Sequence, residues 1–356
     1  MRQFFLLMLL ISCVNAFATV RTVNNNPNSL AQYNTIQGAV DASANGDTVY
    51  VHGSNIQYPA FTITNKRLVI IGPGWLPVRS FYPFPAQVYA ITISGAGSAA
   101  TEIQGLVVVT SVTLNNTPPD NVHFIRNQFK SAVYIINNGT SSGLVFQGNW
   151  FDGGFISATS SGATYTNYLF QNNIFYGTST NGNVYGFTTC SNVLFDHNLW
   201  YGPTSLAGTV SCFGGSCQSL LLTNNIFVHR DAALNNSLST FNNNITFNCR
   251  VDTPWLANGN GGVGNIANQD PQMFNQDSVN AGHDNPLLNF TIASGPANNT
   301  GTDGKDLGLL YNPAGILNWD YSRMSKLPYI YSMNISNSSI APGGTLTVQV
   351  EARKYN

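Results

Sequence analysis

Side chains able to do chemistry are sparse in this chain, and several of them fall at one recurring place. Lys130, Asp152, Tyr176 and Tyr201 each follow directly on an aromatic residue, in Q-F-K, W-F-D, I-F-Y and L-W-Y; the next occurrence is Val228, followed by His229, Arg230 and Asp231. Tyrosine rings stack on flat ligand faces, while Lys, Asp, His and Arg bond hydroxyls or carboxylates. Proton abstraction beside a carboxylate would need a base and a cation, and His229, Arg230, Lys130 and Arg126 are the available parts. Hydrolysis would need two carboxylates about 5–10 Å apart across a groove. Asp152, Asp196 and Asp231 are the candidates for those, although they stand at different places of the repeat described next. The competing reading is that all of these are solvated corner residues, as His197 beside Asp196 is taken to be.

What would position them is a nine-residue phrase that returns five times: N-V-H-F-I-R-N-Q-F from Asn121, G-L-V-F-Q-G-N-W-F from Gly143, N-Y-L-F-Q-N-N-I-F from Asn167, N-V-L-F-D-H-N-L-W from Asn192 and S-L-L-L-T-N-N-I-F from Ser219. The seventh place is always asparagine: Asn127, Asn149, Asn173, Asn198 and Asn225, at steps of 22, 24, 25 and 27 residues. Such a period marks stacked supersecondary units, and the connecting segments have β-rich runs with no helical periodicity, which selects a β-helix over leucine-rich repeats. Places 2 and 4 are large and apolar, so they share the inner face of a strand. Asparagine, with one acceptor and two donors, suits a buried turn and can bond to its copies in the coils above and below. Phe241 and Asn244 keep this spacing in a decayed sixth copy, with Thr246 replacing the aromatic residue.

The chain has 356 residues, formal charge −1 and only 8% charged residues, so phosphate recognition by clustered Lys and Arg is excluded. Its 12% aromatic content excludes a disordered chain. Residues 1–18 read as a signal peptide with Arg2, an apolar run from Phe4 to Ile11 and Ala16-Phe17-Ala18 at the cleavage point; lipid attachment at Cys13 is the alternative. No later run is long enough to be a transmembrane segment. Four cysteines follow the leader. Cys190 and Cys217 each lie eight residues before a phrase asparagine, so register predicts a disulfide between them. A local Cys212–Cys217 bond and four buried free thiols remain open. The cysteine spacing does not suit zinc, and no metal ligand set is assigned.

Residues 19–46 read as a lead-in and a cap helix, with Ile36, Ala39 and Val40 on one face, followed by a strand at Thr48 to Val51. The segment T-I-Q-G-A-V-D-A…G-D-T-V-Y-V, then F-T-I-T from Phe61 and L-V-I-I-G-P-G from Leu68, resembles the opening of secreted bacterial right-handed parallel β-helix proteins of the pectate-lyase-like superfamily. S-G-P-A-N-N-T-G-T-D-G-K-D-L-G from Ser294 is similar to their closing segment, with Gly295 inserted and Asn298 where an apolar residue is usual. The resemblance implies an all-β fold: a right-handed parallel β-helix over 47–312 with a short N-terminal cap helix. It also implies that polysaccharide lies along an outer face, bounded by loops at the strand ends. On that basis Lys130, Asp152, Tyr176, Tyr201, His229 and Arg230 are the expected ligand-contacting residues, and Lys130, Asp152, His229 and Arg230 the catalytic candidates. No cofactor is expected, except calcium should the protein be a lyase; D-G-K-D at Asp303 to Asp306 reads as a turn.

Residues 313–356 read as an appended β-hairpin with its turn at Pro342-Gly343-Gly344. Places 3 (Val145, Leu169, Leu194, Leu221) and 8 (Trp150, Ile174, Leu199, Ile226) should face outward, yet both are apolar. The hairpin is expected to lie along one of these stripes, or a second copy to cover it as an oligomer. The function expected is an exported carbohydrate-binding or surface-adhesion protein without catalysis. The alternatives are a polysaccharide lyase or hydrolase, and a structural part of a cell-surface assembly.

Overall fold

The computed structural model describes residues 18–76, 84–115, 119–136, 139–158, 162–177, 182–204, 210–285, 288–311, 319, 329–335 and 343–353. The leader with Cys13 and the turn residue Pro342 lie outside them.

The chain winds into a parallel β-solenoid of about eight turns. Places 3–5 of the phrase form one wall, a ten-stranded parallel sheet running from Val20–Val23 to Thr240–Asn242. Its register is that of the phrase: Phe146 pairs with Phe124 and Phe170, and Phe195 with Phe170 and Leu222. These inner rings stack up the axis, with centroids 4.9, 4.9 and 4.3 Å apart from Phe124 to Phe195. A second, thirteen-stranded sheet has two arms, because the long strand Leu106–Asn115 pairs with both Gln128–Phe129 and Ala132–Ile135. One arm continues through Trp150–Asp152, Ile174–Tyr176, Leu199–Tyr201, Ile226–Val228 and Ile245–Phe247; the other through Ile156–Ser157, Val184–Tyr185 and Phe213–Gly214.

The corner between the walls is where the asparagines act. The residue before each ladder asparagine adopts positive φ: Arg126, Gly148, Asn172, His197, Asn224 and Asn243 lie between 51° and 64°. The chain thus bends through the left-handed region, which glycine and asparagine tolerate best. The next residue then points its amide inward. Asn127, Asn149, Asn173, Asn198 and Asn225 are fully buried. Each Nδ2 donates to the Oδ1 of the asparagine one coil on, at 3.2, 3.0, 3.0, 2.9 and 2.9 Å, the last to Asn244. Each Nδ2 also donates to a core carbonyl of the coil before, as Asn173 does to Phe146. The ladder runs one coil beyond the phrase, from Asn244 to Asn265.

The ends of the core are closed differently. Ile36–Ala42 is a helix capped by Thr35, whose Oγ1 accepts from Gly38 N at 3.1 Å, and Ile36, Ala39 and Val40 seal the first coil. At the far end Trp255, on a short 3₁₀ turn, packs against Phe241.

One expectation needs correction. The four described cysteines, Cys190, Cys212, Cys217 and Cys249, are free thiols, so Cys190 and Cys217 do not form the disulfide that register suggested. The coils are in register just beyond them, where Val193 pairs with Leu220, but Cys190–Ser191 and Cys217–Gln218 belong to different sheets and the sulfurs diverge: Cys217 Sγ faces Gly214 O in the core, whereas Cys190 Sγ turns to Gln218 O at 2.8 Å. The place-8 stripe is covered mainly by the segment from Met273 to Leu309, joined by Trp319. Trp150, Ile174, Leu199, Ile226 and Ile245 are buried in a second core with Met273, Val279, Phe290, Ile292, Leu307, Leu309 and Trp319. Tyr329–Ile335 and Val348–Arg353 do form an antiparallel hairpin, but every residue of its second strand is exposed. The place-3 stripe stays half-buried.

Candidate functional site

The tenth-place residues share one column. Asp152 pairs with Tyr176 and Tyr176 with Tyr201, while Lys130 directly follows the strand that pairs with Asp152's. The segment covering the second core crosses this column. Tyr176 OH donates to Gly282 O at 2.9 Å and Tyr201 OH to His283 O at 3.3 Å, and both rings are buried. They anchor the cover and are not open to a ligand. Burial pushes the Tyr176 phenol up to about 12, helped by the Asp284 and Asp152 carboxylates, and burial likewise raises Tyr201 well above the usual phenol range.

The same crossing brings Asp284 to Asp152. Asp152 Oδ2 accepts from Gln128 Nε2 at 2.8 Å, and the two carboxyl groups hydrogen-bond to each other. The Asp284 residue is exposed as a whole, but partial burial of its carboxyl, then the charge and hydrogen bond of Asp152, push it up to about 7, with Lys130 opposing. Against that neighbouring charge Asp284 keeps its proton into the neutral range. Lys130, Asp152 and Asp284 therefore make a mixed acid–cation corner where the two arms of the second sheet meet. Asp284 sits in N-A-G-H-D-N-P, outside the repeat, and no sequence signal marks it.

His229 and Arg230 do not join this corner. His229 takes φ 57°, and that left-handed step turns the chain so that Arg230 enters the solenoid. Arg230 is buried, donating from Nη2 to Asn183 Oδ1 at 2.8 Å and Ser211 O at 2.6 Å. Burial lowers its pKa, with the Cys212 thiol beside it opposing. Gly177 must lack a Cβ because one there would overlap Arg230 Nη1. Asp231 is likewise internal and caps the Ala233 and Leu234 amides, both at 2.9 Å. Asp196 belongs to an outer ladder with Gln171 and Thr223. His197 is buried, with Nδ1 3.1 Å from Gly308 O and Nε2 3.5 Å from Asp303 Oδ2. Arg126 Nη2 donates to Gln104 Oε1 at 2.7 Å, and burial lowers its pKa to about 10. Among the described residues no three His, Cys, Asp or Glu side chains gather as metal ligands.

Beside the corner lies the outer face of the other arm. Its central column is Thr62, Thr92, Thr113, Tyr134, Ser157 and Tyr185, each paired with the next. Tyr134 and Tyr185 are 38% and 37% exposed. They are two strands apart, so their Cα atoms are separated by about 9.6 Å along the axis. The Phe155 ring meets Tyr134 edge-on at 6.1 Å. A neighbouring column holds Thr64, Ser94 and Asn115, with the first two hydroxyls 3.2 Å apart. Neither column carries a charged residue. The sequence does hold a signal for this face: Val133-Tyr134 and Val184-Tyr185 repeat one inner–outer pair two coils apart.

Comparison with known protein families gives no matching family model, and comparison with curated proteins gives no match.

Proposed function

We propose that this chain is an exported glycan-binding β-solenoid, pectate-lyase-like in architecture, that attaches to carbohydrate at a cell surface and does not cleave it. The observation that carries the reading is the uncharged outer column in which Tyr134 and Tyr185 are presented in line with the hydroxyls of Thr62, Thr92 and Thr113. Exposed tyrosines stack on sugar faces, hydroxyls exchange hydrogen bonds with sugar hydroxyls, and a column without charge suits a neutral polysaccharide. Signal-peptide character at the N-terminus and a hydroxyl-rich surface support export. The test is a panel of neutral and acidic polysaccharides, scored for retention of the protein. The reading expects retention that falls at least tenfold in Tyr134→Ala/Tyr185→Ala with the fold intact. Retention by no glycan, or retention indifferent to both tyrosines, would sink it.

A second reading rests on the Lys130–Asp152–Asp284 corner. Carboxyls that hydrogen-bond to each other are too close to flank a scissile bond from two sides, so a two-carboxylate hydrolase is disfavoured. A proton acceptor titrating near 7 beside a lysine is instead what a uronate lyase requires of its base and its carboxylate partner. Calcium could assist such a reaction. Release of unsaturated uronate, abolished in Asp284→Asn, would establish this reading over the first.

A further inference from the structure

The rim of the solenoid is finished at one end only. The N-terminal coil lies under the helix Ile36–Ala42. At the far end Trp255 closes the interior, but among the described residues no further strand pairs with the last coil. Residues 258–268 form a last partial coil, bonded to the coil before it through Phe241 N to Gly261 O, Asn243 N to Val263 O and Ile266 N to Asn244 O. Gly261 to Gly264 are exposed. Every earlier ladder asparagine gives its backbone N–H to the amide of the next coil, as Asn244 gives its own to Asn265 Oδ1 at 3.0 Å. The Asn265 N–H has no such partner among the described residues. Leu256 and Val263 stand on this rim 77% and 73% exposed, and Leu238 beside Gly259 is exposed too. A free strand edge flanked by bare aliphatic side chains is a template for another strand.

The C-terminal tail carries the complement. Val348–Arg353 pairs with Tyr329–Ile335 and with no other described strand. Val348 and Val350 alternate on one face of it, 40% and 51% exposed. A lone two-stranded hairpin is marginal in water, and this one has an outer edge and an apolar face without cover. We propose that the hairpin of one copy docks on the terminal coil of a second copy. Val348–Arg353 extends the sheet at residues 258–268, and Val348 and Val350 lie against Leu238, Leu256 and Val263. Donor and acceptor are different surfaces, so the contact is head-to-tail and propagates into chains or closes into a ring. The helix over the first coil rules that end out as the acceptor.

Sedimentation of the full chain tests this, with the melting temperature of each variant confirming that it folds. The wild type is expected to sediment at twice the monomer mass or more at high micromolar concentration. Val263→Lys damages only the acceptor and Val350→Lys only the donor, so each alone is monomeric. Mixed in equal amounts they form a one-to-one dimer and nothing larger, because one sound donor and one sound acceptor remain. A monomeric wild type, which includes a hairpin folded back on its own rim, overturns the proposal. So do variants that still associate, or a mixture that yields no dimer.

Discussion

Replacing Asn173 with alanine should be among the costliest single changes in this protein. Asn173 Nδ2 donates to Asn198 Oδ1 at 3.0 Å and to Phe146 O at 2.9 Å, while its Oδ1 accepts from Asn149 N at 2.9 Å and Asn149 Nδ2 at 3.0 Å. Truncation leaves the Asn149 backbone N–H and one Asn149 amide proton without partners and removes the side-chain bond to Phe146 O, which keeps its place in the ladder with the strand at Phe170; water does not reach this corner. At about 1–3 kcal/mol for each of the two stranded buried groups, with neighbours relaxing in part, the loss is about 2–5 kcal/mol. Asn265→Ala is the control. Asn265 makes the same kind of bonds to Asn244 and Phe241, but it is only half-buried at the open end, where solvent can replace them. Its loss should be about 1 kcal/mol. Urea unfolding of both variants measures the difference directly. Equal destabilisation by the two would refute the argument that burial of the ladder sets its worth.

Other consequences are as definite. Trp319 is fully buried with its ring 6.0 Å from that of Trp75, so Trp319→Ala should cost about 3–5 kcal/mol, while deleting 329–356 should leave the melting temperature unchanged in dilute protein, below the concentration at which copies associate. Asp284 is raised from 3.8 to about 7, so between those values the folded state holds a proton that the unfolded chain has lost. Stability therefore falls as pH rises through that window and levels off above it, and Asp284→Asn should flatten a chemical-denaturation series from pH 4 to 8. Unfolding without reductant should expose four alkylatable thiols at Cys190, Cys212, Cys217 and Cys249. Mass spectrometry counts them, and in the native state they label slowly because burial raises Cys190 and Cys249 to about 12 and Cys217 to about 11.

The winding of the chain was legible because each coil must solve the same problem at the same corner. A left-handed residue followed by an amide that bonds up and down the axis leaves a sequence trace every 22 to 27 residues, and the inner Phe124, Phe146, Phe170 and Phe195 leave another. The cap helix was legible from Thr35 and the spacing of Ile36, Ala39 and Val40. The cover was not. Tyr176 meets Gly282 across 106 residues, and the covering segment has no repeat to reveal its register. Asp284 was missed for that reason, and Tyr176 and Tyr201 were read as open when they are roofed. Arg230, expected beside the ligand, turns inward because positive φ at His229 changes the face that follows. Cys190 and Cys217 show a similar limit: register aligns backbones without fixing where the sulfurs point.

Hydroxyl-radical footprinting of the full chain, with and without a retained polysaccharide, bears most directly on the central claim. Ligand should protect Tyr134 and Tyr185 on the exposed column and leave the half-buried outer face at Leu169 and Leu194 unchanged. Protection of that other face, with Tyr134 and Tyr185 oxidised as fast as in the free protein, would contradict it.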